Sequence, residues 1–285
     1  MSRAGVAALL DRAAGLLADD GAAELGFAPD GVSAGAGLRS GAELRAGVDL
    51  GTASCVLVVL DGDGEPVYVA SHPSGALRDG VVVDFAAATR TVRALREDAE
   101  QALGVTLTSA ATAYPPCIAE PDARACRFVC EAAGFDKVTL TDEVSAAQAV
   151  LGVQDGVIVD VGGGSTGVGI FRGGQLTELA DQPGGGHHLD LVLAGAFGIR
   201  VEEAERLKRT DPRACLPHLV PCIERIGTSV RQMTAGAEDL PLHLAGGALM
   251  VPGASEILGA YLGRETVSYA HALLITPCGI ARCAT

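Results

Sequence analysis

The sequence predicts an α/β fold made of two related halves that face each other across a ligand site. Three observations predict it: apolar strands alternate with helical segments, one strand–turn–strand pattern occurs twice, and glycines follow an aspartate in both copies. Alternating strands and helices are typical of layered α/β domains, and internal repetition is typical of a duplicated unit.

The composition limits the classes of partner. With 285 residues, 48% of them hydrophobic, the chain can form one large or two smaller domains. The formal net charge of −14 argues against nucleic acid or an anionic membrane as the main partner. The sequence contains no purely apolar stretch of about 18 residues, so it predicts no membrane span. The eight cysteines form no disulfide-type framework, which favours buried thiols and a cytoplasmic location.

The first 44 residues have a pattern of their own. Apolar residues recur at helical spacing from Val6 to Leu17, and a stretch rich in Gly, Ala and Ser runs from Gly31 to Gly41. This pattern predicts an amphipathic leader helix followed by a flexible linker over residues 1–44. Two alternatives stay open: the helix docks on its own domain, or it binds a partner.

From Arg45 onward the first half begins with three strands, the last two joined by a turn at Asp61–Gly64. A helix then starts at an Asp84 cap and stops at Gly104. After a further strand, Pro115–Pro116 break the chain before a helix that runs to Gly134. The strands, and the helix that closes this half, are expected at Val48–Leu50, Cys55–Leu60, Pro66–Ala70, Leu107–Ala113, Val138–Leu140 and Glu143–Leu151.

The second half repeats the three strands and then adds three helices, a strand and a helix. These elements are expected at Val157–Val161, Val168–Phe171, Leu176–Ala180, His187–Phe197, Val201–Arg209, Ala214–Met233, Leu242–Ala245 and Ala254–Tyr261. His187 and His188 are adjacent, and neighbouring residues on a helix point about 100° apart, so they form a poor metal-binding pair.

The repeat relates the stretch that starts at Val48 to the stretch that starts at Val159. When the two are superposed, Asp49 aligns with Asp160, Gly51 with Gly162, and Ser54 with Ser165, in the order strand, glycine-rich turn, strand. Neither turn has the spacing of a P-loop or of a dinucleotide-binding loop, which disfavours those folds.

The chemistry of each copy indicates phosphate binding. An aspartate at the end of a strand supplies a carboxylate, and the glycines that follow leave backbone N–H groups open to phosphate oxygens. The hydroxyls of Ser54, Ser165 and Thr166 are further donors. Two such turns face to face would hold a phosphate chain, and Asp49 and Asp160 would hold hydrated Mg²⁺ between them.

These hairpins resemble the two phosphate motifs of the superfamily that joins actin, sugar kinases and DnaK-type chaperones. Further segments resemble other motifs of that superfamily in the expected order. Leu242–Gly253 is similar to the adenosine motif, Thr141–Val150 to the first connecting helix, and Glu202–Arg209 and Arg78–Phe85 to segments of bacterial actins. The pattern from Gly47 to Ala284 as a whole resembles a family of ethanolamine-utilization proteins.

The resemblance implies a two-lobed actin-like ATPase fold, built from duplicated ribonuclease H-like domains, with the nucleotide in the cleft. Residues 45–154 and 268–285 would form lobe I, and residues 155–267 would form lobe II. The implied cofactors are ATP and Mg²⁺. Asp49, Glu143 and Asp160 would be catalytic, with Asp49 and Asp160 acting on the metal through water.

The nucleotide would contact a larger group of residues. These are Gly51, Thr52, Ser54, Gly162, Gly163, Gly164, Ser165 and Thr166 at the phosphates, Glu205 and Lys208 beside the ribose and base, and Gly246 and Gly247 beneath them.

The resemblance further implies a slow ATPase or nucleotide switch. The chain between Val69 and Asp84 is too short for the insertion that carries the catalytic lysine of DnaK-type chaperones, and Arg78 is a weak substitute. The favoured role is a chaperone-like assembly or reactivation factor for ethanolamine utilization or a related bacterial microcompartment, whose shell or enzymes would contact the leader helix. The alternatives are a nucleotide-switched filament or scaffold and a small-molecule kinase, the latter disfavoured because the chain is short.

Overall fold

A computed structural model of the chain describes residues 1–17, 43–78 and 80–285. Most of the predicted linker, including Gly31–Gly41, lies outside the described residues. Within the described residues, no helix is both long enough and apolar enough to cross a membrane.

Two five-stranded sheets form the framework. The first has the strand order β3-β2-β1-β6-β7, and the second has the order β10-β9-β8-β11-β12. The strands of the first sheet are β1 Arg45–Leu50, β2 Ser54–Leu60, β3 Pro66–Pro73, β6 Ser109–Tyr114 and β7 Lys137–Asp142. Those of the second are β8 Gly156–Val161, β9 Ser165–Arg172, β10 Gln175–Pro183, β11 Leu242–Ala245 and β12 Thr266–Val267.

The two sheets have the same topology. In each, the first three strands along the chain pair antiparallel, a fourth strand pairs parallel with the first, and a fifth pairs parallel with the fourth. Strands β1 and β8 therefore occupy equivalent central places, and in each the aspartate that the repeat singled out is the next-to-last residue. The predicted duplication is thus present in the fold.

The helices follow the predicted order closely. They are α1 Arg3–Leu16, α2 Phe85–Leu103, α3 Glu120–Ala132, α4 Glu143–Leu151, α5 Gly186–Phe197, α6 Val201–Thr210, α7 Pro212–Met233, α8 Ala254–Leu262 and α9 Ile275–Cys283. Asp84 caps α2 by accepting a hydrogen bond from the N–H of Ala87 at 2.8 Å, and Gly104 ends it with φ +66°. Both signals act as the sequence predicts.

Several short elements had no sequence prediction. They are the two-stranded hairpin of β4 Leu77–Arg78 and β5 Val81–Val82, strand β12, the 3₁₀ turn Ala272–Leu274 and helix α9. Two-residue strands carry too little periodicity to be recognised. Helix α9 begins Ile-Thr-Pro, and its start has no capping side chain to reveal it.

Helix α1 is docked on the rest of the chain. Val6, Leu9, Leu10 and Ala13 are fully buried, and they share a core with residues of both sheets, including Val69 and Phe171. The structure therefore favours the first alternative for the leader, because its apolar face is covered by the chain itself. In the structure, the apolar face of α1 is therefore not open to a partner.

Helices α4 and α9 cross between the sheets at very short distance. A Cβ added to Gly279 of α9 would overlap the backbone carbonyl of Ala146 in α4. A Cβ added to Gly47 of β1 would lie 2.7 Å from the Cα of Ala281 in α9. Glycine is needed at both positions because only a hydrogen atom fits there.

Candidate functional site

A cleft of about 610 Å³ opens between the two sheets. Its floor and walls come from the turns after β1 and β8, the N-terminus of α4, the helices α5 and α6, and the glycine turn after β11. The carboxyl ends of the central strands of both sheets meet here, which is where α/β sheets commonly bind ligands.

The two glycine turns are in contact with each other. A Cβ added at Gly163 would lie 3.3 Å from the backbone nitrogen of Ala53 and 3.4 Å from the Cβ of Thr52. The turn after β1 and the turn after β8 therefore converge on the same end of the cleft.

The carbonyls of the second turn accept hydrogen bonds from the segment that leads into α5. Those of residues 162, 163 and 164 accept hydrogen bonds from the N–H groups of Gly186, His187 and Gly184 at 2.8, 2.9 and 2.9 Å. This triple contact fixes the turn against the start of α5. It explains why glycines continue through residues 184–186, where a Cβ at Gly185 would overlap the carbonyl of Gly162.

The N–H groups of the turns are left open. Within the described residues, the N–H groups of Gly163 and Gly164 have no acceptor, and neither do those of Thr52 and Ala53 in the facing turn. Unpaired N–H groups gathered at one place form an anion-binding nest. Two nests face each other here, which suits a ligand with several phosphates.

Three carboxylates converge at the same end of the cleft. Asp49 and Asp160 are the next-to-last residues of β1 and β8, and Glu143 is the first residue of α4. Burial and the charge of Asp160 raise the pKa of Asp49 to about 7. Burial raises the pKa of Asp160 to about 6, an effect partly offset by the Thr276 hydroxyl. The pKa of Glu143 is raised well above its usual value by burial and by both aspartates.

These raised pKa values follow from the burial of acids that lie close to one another. A cation between the carboxylates would allow them to ionise together. In the described part of the chain, no three His, Cys, Asp or Glu side chains are grouped closely enough to coordinate a metal directly. The acids at this centre, Asp49, Glu143 and Asp160, could accept hydrogen bonds from the water ligands of a Mg²⁺ ion.

The Asp160 carboxylate has a hydrogen-bond donor on one oxygen and a glycine beside the other. Its Oδ2 accepts a hydrogen bond from the hydroxyl of Thr276 at 2.5 Å, and both residues are buried. Its Oδ1 lies against Gly246, where an added Cβ would be 2.5 Å away. Gly246 has φ +80°, so glycine is required there for the backbone conformation as well as for the space.

The other end of the cleft is lined by charged residues of α5 and α6. The Nζ of Lys208 lies 2.5 Å from the Oδ1 of Asp190, and Arg209 forms an ion pair with Glu205. The Lys208–Asp190 pair is largely buried, with side-chain exposures of 12% and 9%. Both predicted residues at this end, Glu205 and Lys208, thus line the cleft while held by neighbours.

Almost every predicted site residue lines this cleft. The residues brought together are Asp49, Gly51, Thr52, Ser54, Glu143, Asp160, Gly162, Gly163, Gly164, Ser165, Glu205, Lys208, Gly246 and Gly247. Thr166, also predicted at the phosphates, is not among the residues that line the cleft. Its hydroxyl is buried outside the cleft, and it donates to the carbonyl of Gly184 at 2.6 Å, because alternate residues of a strand point to opposite faces.

Three residues of the site were missed by sequence reasoning. Thr276 and Asp190 line the cleft, and Asp181 is close enough to Asp160 for burial and that charge to raise its pKa to about 7. Asp190 had a weak signal as the only acidic residue of an apolar helix. Thr276 and Asp181 had none, because their partners are far away along the chain.

Comparison with known proteins agrees with this geometry. The MreB/Mbl protein family model matches residues 71–195, and the model of the cell division protein FtsA matches residues 157–257. The ethanolamine utilization protein EutJ of Salmonella typhimurium is 37% identical over 235 residues, covering 82% of this chain and 83% of that protein. The chain belongs to the EutJ family.

Solved structures support the EutJ family assignment. The crystal structure of EutJ from Carboxydothermus hydrogenoformans matches with a TM-score of 0.81 and 41% identity, covering 85% of this chain and 90% of that one. MreB5 of Spiroplasma citri, solved bound to ADP, matches with a TM-score of 0.67 and 16% identity, covering 83% and 94%. The predicted actin-like ATPase fold is confirmed.

Proposed function

We propose that this EutJ family protein binds ATP with Mg²⁺ in the cleft between its sheets and hydrolyses it slowly. Its role would be that of a chaperone-like assembly or reactivation factor in ethanolamine utilization or a related bacterial microcompartment. The observation that carries the proposal is the contact between two glycine turns, each with unpaired N–H groups, above the paired carboxylates Asp49 and Asp160.

The shape of the site supports a nucleotide triphosphate over a smaller anion. The phosphate-binding end and the charged end belong to one continuous cleft of about 610 Å³, within the usual range for sites that bind ligands of this size. MreB5, which shares the fold, was solved with ADP. The pathway is proposed because the EutJ relatives are named for ethanolamine utilization.

Each group of residues in the cleft would have its own role. Asp49 and Asp160 would hold the water shell of Mg²⁺, which supplies charge neutralisation at the phosphates when bound. Glu143 would orient the attacking water from the start of α4. The N–H groups of the two turns would hold the phosphate chain, and Glu205 and Lys208 would border the ribose and base.

The cations of the cleft support slow turnover. Within the described residues, the Lys and Arg side chains that line it are Lys208 and Arg209, and both are already paired with acids. Transition-state charge in phosphoryl transfer is commonly stabilised by an unpaired cation, so the pairing of Lys208 and Arg209 with acids supports slow hydrolysis.

The same observation favours one alternative, a nucleotide-switched filament or scaffold protein without significant catalysis. Sedimentation and electron microscopy with and without ATP would separate the two. A protein that pellets only with ATP and turns over no nucleotide would support the switch.

The division into lobes is part of the proposal. Lobe I would comprise residues 45–154 and 268–285, and lobe II residues 155–267, with ATP favouring closure because its phosphates would touch both turns. A shell or enzyme partner at the leader helix would meet its outer face, since Val6, Leu9 and Leu10 are buried against the chain.

A nucleotide titration tests the proposal. The full chain should bind ATP more tightly with Mg²⁺ than with EDTA, and Asp160→Ala should abolish metal-dependent turnover. Asp136→Ala is a matched control, because Asp136 is an exposed acid outside the cleft. Full turnover by Asp160→Ala would overturn the residue assignment, and failure of the wild-type chain to bind nucleotide would overturn the function.

A further inference from the structure

Thr276 is the first-turn residue of α9, the last helix of the chain. It lines the cleft, is 5% exposed, and its hydroxyl donates to Oδ2 of Asp160 at 2.5 Å. The two residues are 116 positions apart, so the bond exists only in the folded chain.

The Thr276–Asp160 hydrogen bond joins a strand of the second sheet to a helix that packs on the first sheet. Asp160 is in β8, at the centre of the second sheet. Helix α9 instead packs against β1 and β2 of the first sheet and crosses α4 closely at Gly279. The orientation of the Asp160 carboxylate is therefore fixed by an element anchored on the opposite sheet.

The bond distinguishes Asp160 from Asp49. Within the described residues, the Asp49 carboxylate accepts no hydrogen bond from a side chain, although it faces the same centre. A hydroxyl that donates to a carboxylate stabilises its charged form and fixes its free lone pairs. With Oδ2 taken by Thr276 and Oδ1 beside Gly246, Asp160 has one defined orientation toward the cleft.

We propose that Thr276 is a positioning residue that holds the Asp160 carboxylate in the orientation in which it would accept hydrogen bonds from the water ligands of the nucleotide-bound Mg²⁺. Thr276 itself need not touch the nucleotide or the metal. This inference rests on the proposed function, because it assigns a partner to the metal-binding aspartate of that site.

The test uses the full chain with three variants. Thr276→Val removes the hydroxyl at nearly the same volume, and Thr276→Ser keeps it. Thr112→Val is the matched control, since Thr112 is a fully buried threonine of β6 that lies outside the cleft. Binding of ADP and ATP is measured by calorimetry in EDTA and across a series of Mg²⁺ concentrations, and thermal unfolding is measured for each variant.

In Thr276→Val, we expect the Mg²⁺ concentration for half-maximal enhancement of nucleotide binding to rise about ten-fold, the size expected for loss of a hydrogen bond to a charged group. Affinity in EDTA should change less than about two-fold, because the turns that hold the phosphates are intact. Thr276→Ser should restore the Mg²⁺ dependence, and Thr112→Val should match the wild type.

Suppose that nucleotide binding by the wild type depends on Mg²⁺ and that binding by Thr276→Val depends on Mg²⁺ to the same extent. This result overturns the inference and leaves the proposed function standing. An equal defect in Thr276→Ser also overturns it, because the effect would then come from packing and not from the hydroxyl. If the wild-type chain binds no nucleotide, the proposed function fails and the inference fails with it. A variant that does not fold is replaced by Thr276→Ala, with the same readouts.

Discussion

At the scale of single residues, the site depends on glycines, whose lack of a side chain leaves space beside Asp160 and between the two turns. Gly246 leaves room for Oδ1 of that carboxylate, and Gly163 leaves room for the facing turn at Thr52 and Ala53. A side chain at either place would separate groups that have to lie together. The glycines after each aspartate thus bring a charged centre and two sets of N–H groups within reach of one ligand.

Gly246→Ala should weaken nucleotide binding at least about ten-fold and lower the melting temperature, because the added Cβ would be 2.5 Å from Asp160 Oδ1. Gly236→Ala is the matched control. Its φ of +88° is as unfavourable for alanine as the +80° of Gly246, but an added Cβ there meets nothing within 4 Å. Equal effects of the two substitutions would show that backbone strain alone is responsible.

At the scale of elements, the leader helix is part of the structural core. Its buried face joins residues from both sheets and from α4, and the N-terminal end of the helix approaches Gly152 at the end of α4. Leu17 continues the contact through a parallel bridge to Val69 of the edge strand β3. The helix thereby covers apolar surface that would otherwise meet water.

Leu10→Ala should lower the free energy of unfolding by about 2–4 kcal/mol, since Leu10 is completely buried and its truncation leaves a cavity. Leu16→Ala, at a partly buried place on the same helix, should cost clearly less. Chemical denaturation of both variants measures this. If both substitutions left the free energy of unfolding nearly unchanged, the leader helix would be detached from the rest of the chain in solution.

The crossing of α4 and α9 gives a second prediction at this scale. Gly279→Ala should destabilise the chain, because its Cβ would overlap the carbonyl of Ala146 and force the helices apart. Gly195→Ala should instead stabilise it by about 0.5–1 kcal/mol, since Gly195 lies in helix α5 with open space around it. Opposite shifts of the melting temperature are expected, and equal shifts would contradict the close crossing.

At the scale of the whole molecule, the buried acids make stability depend on pH. The pKa values of Asp49, Asp160 and Asp181 are raised in the folded state to about 7, 6 and 7 from 3.8. Between pH 4 and 7 the folded chain therefore binds more protons than the unfolded chain. Stability contributed by these groups is present at low pH and falls as the pH rises through 7.

The melting temperature of the nucleotide-free protein should thus be higher near pH 5 than near pH 8. Mg²⁺ with ATP should reduce the difference, because it favours the ionised carboxylates. The double variant Asp49→Asn, Asp160→Asn should flatten the profile, and scanning calorimetry at several pH values measures it. A wild-type melting temperature that rises from pH 5 to pH 8 would contradict the raised pKa values.

Local pattern was enough to predict most elements of the fold. Periodicity and capping predicted the span of α4 and β11 to the residue, and they predicted α2 from the Asp84 cap and the Gly104 stop. These signals are local, since a cap or a periodic face is encoded within a few turns of chain. The repeat added the pairing of Asp49 with Asp160, because both copies keep the same sequence order.

The sequence by itself thus determined the alternation of elements, the duplicated glycine turns and the acids that end their strands. The tertiary structure alone decided that the leader helix docks, that Thr166 points away from the cleft, and that Thr276 reaches Asp160. Each of these depends on contacts between residues distant along the chain, which no local pattern records. Burial of the acids, and with it their raised pKa values, likewise arises only when the two sheets close around the site.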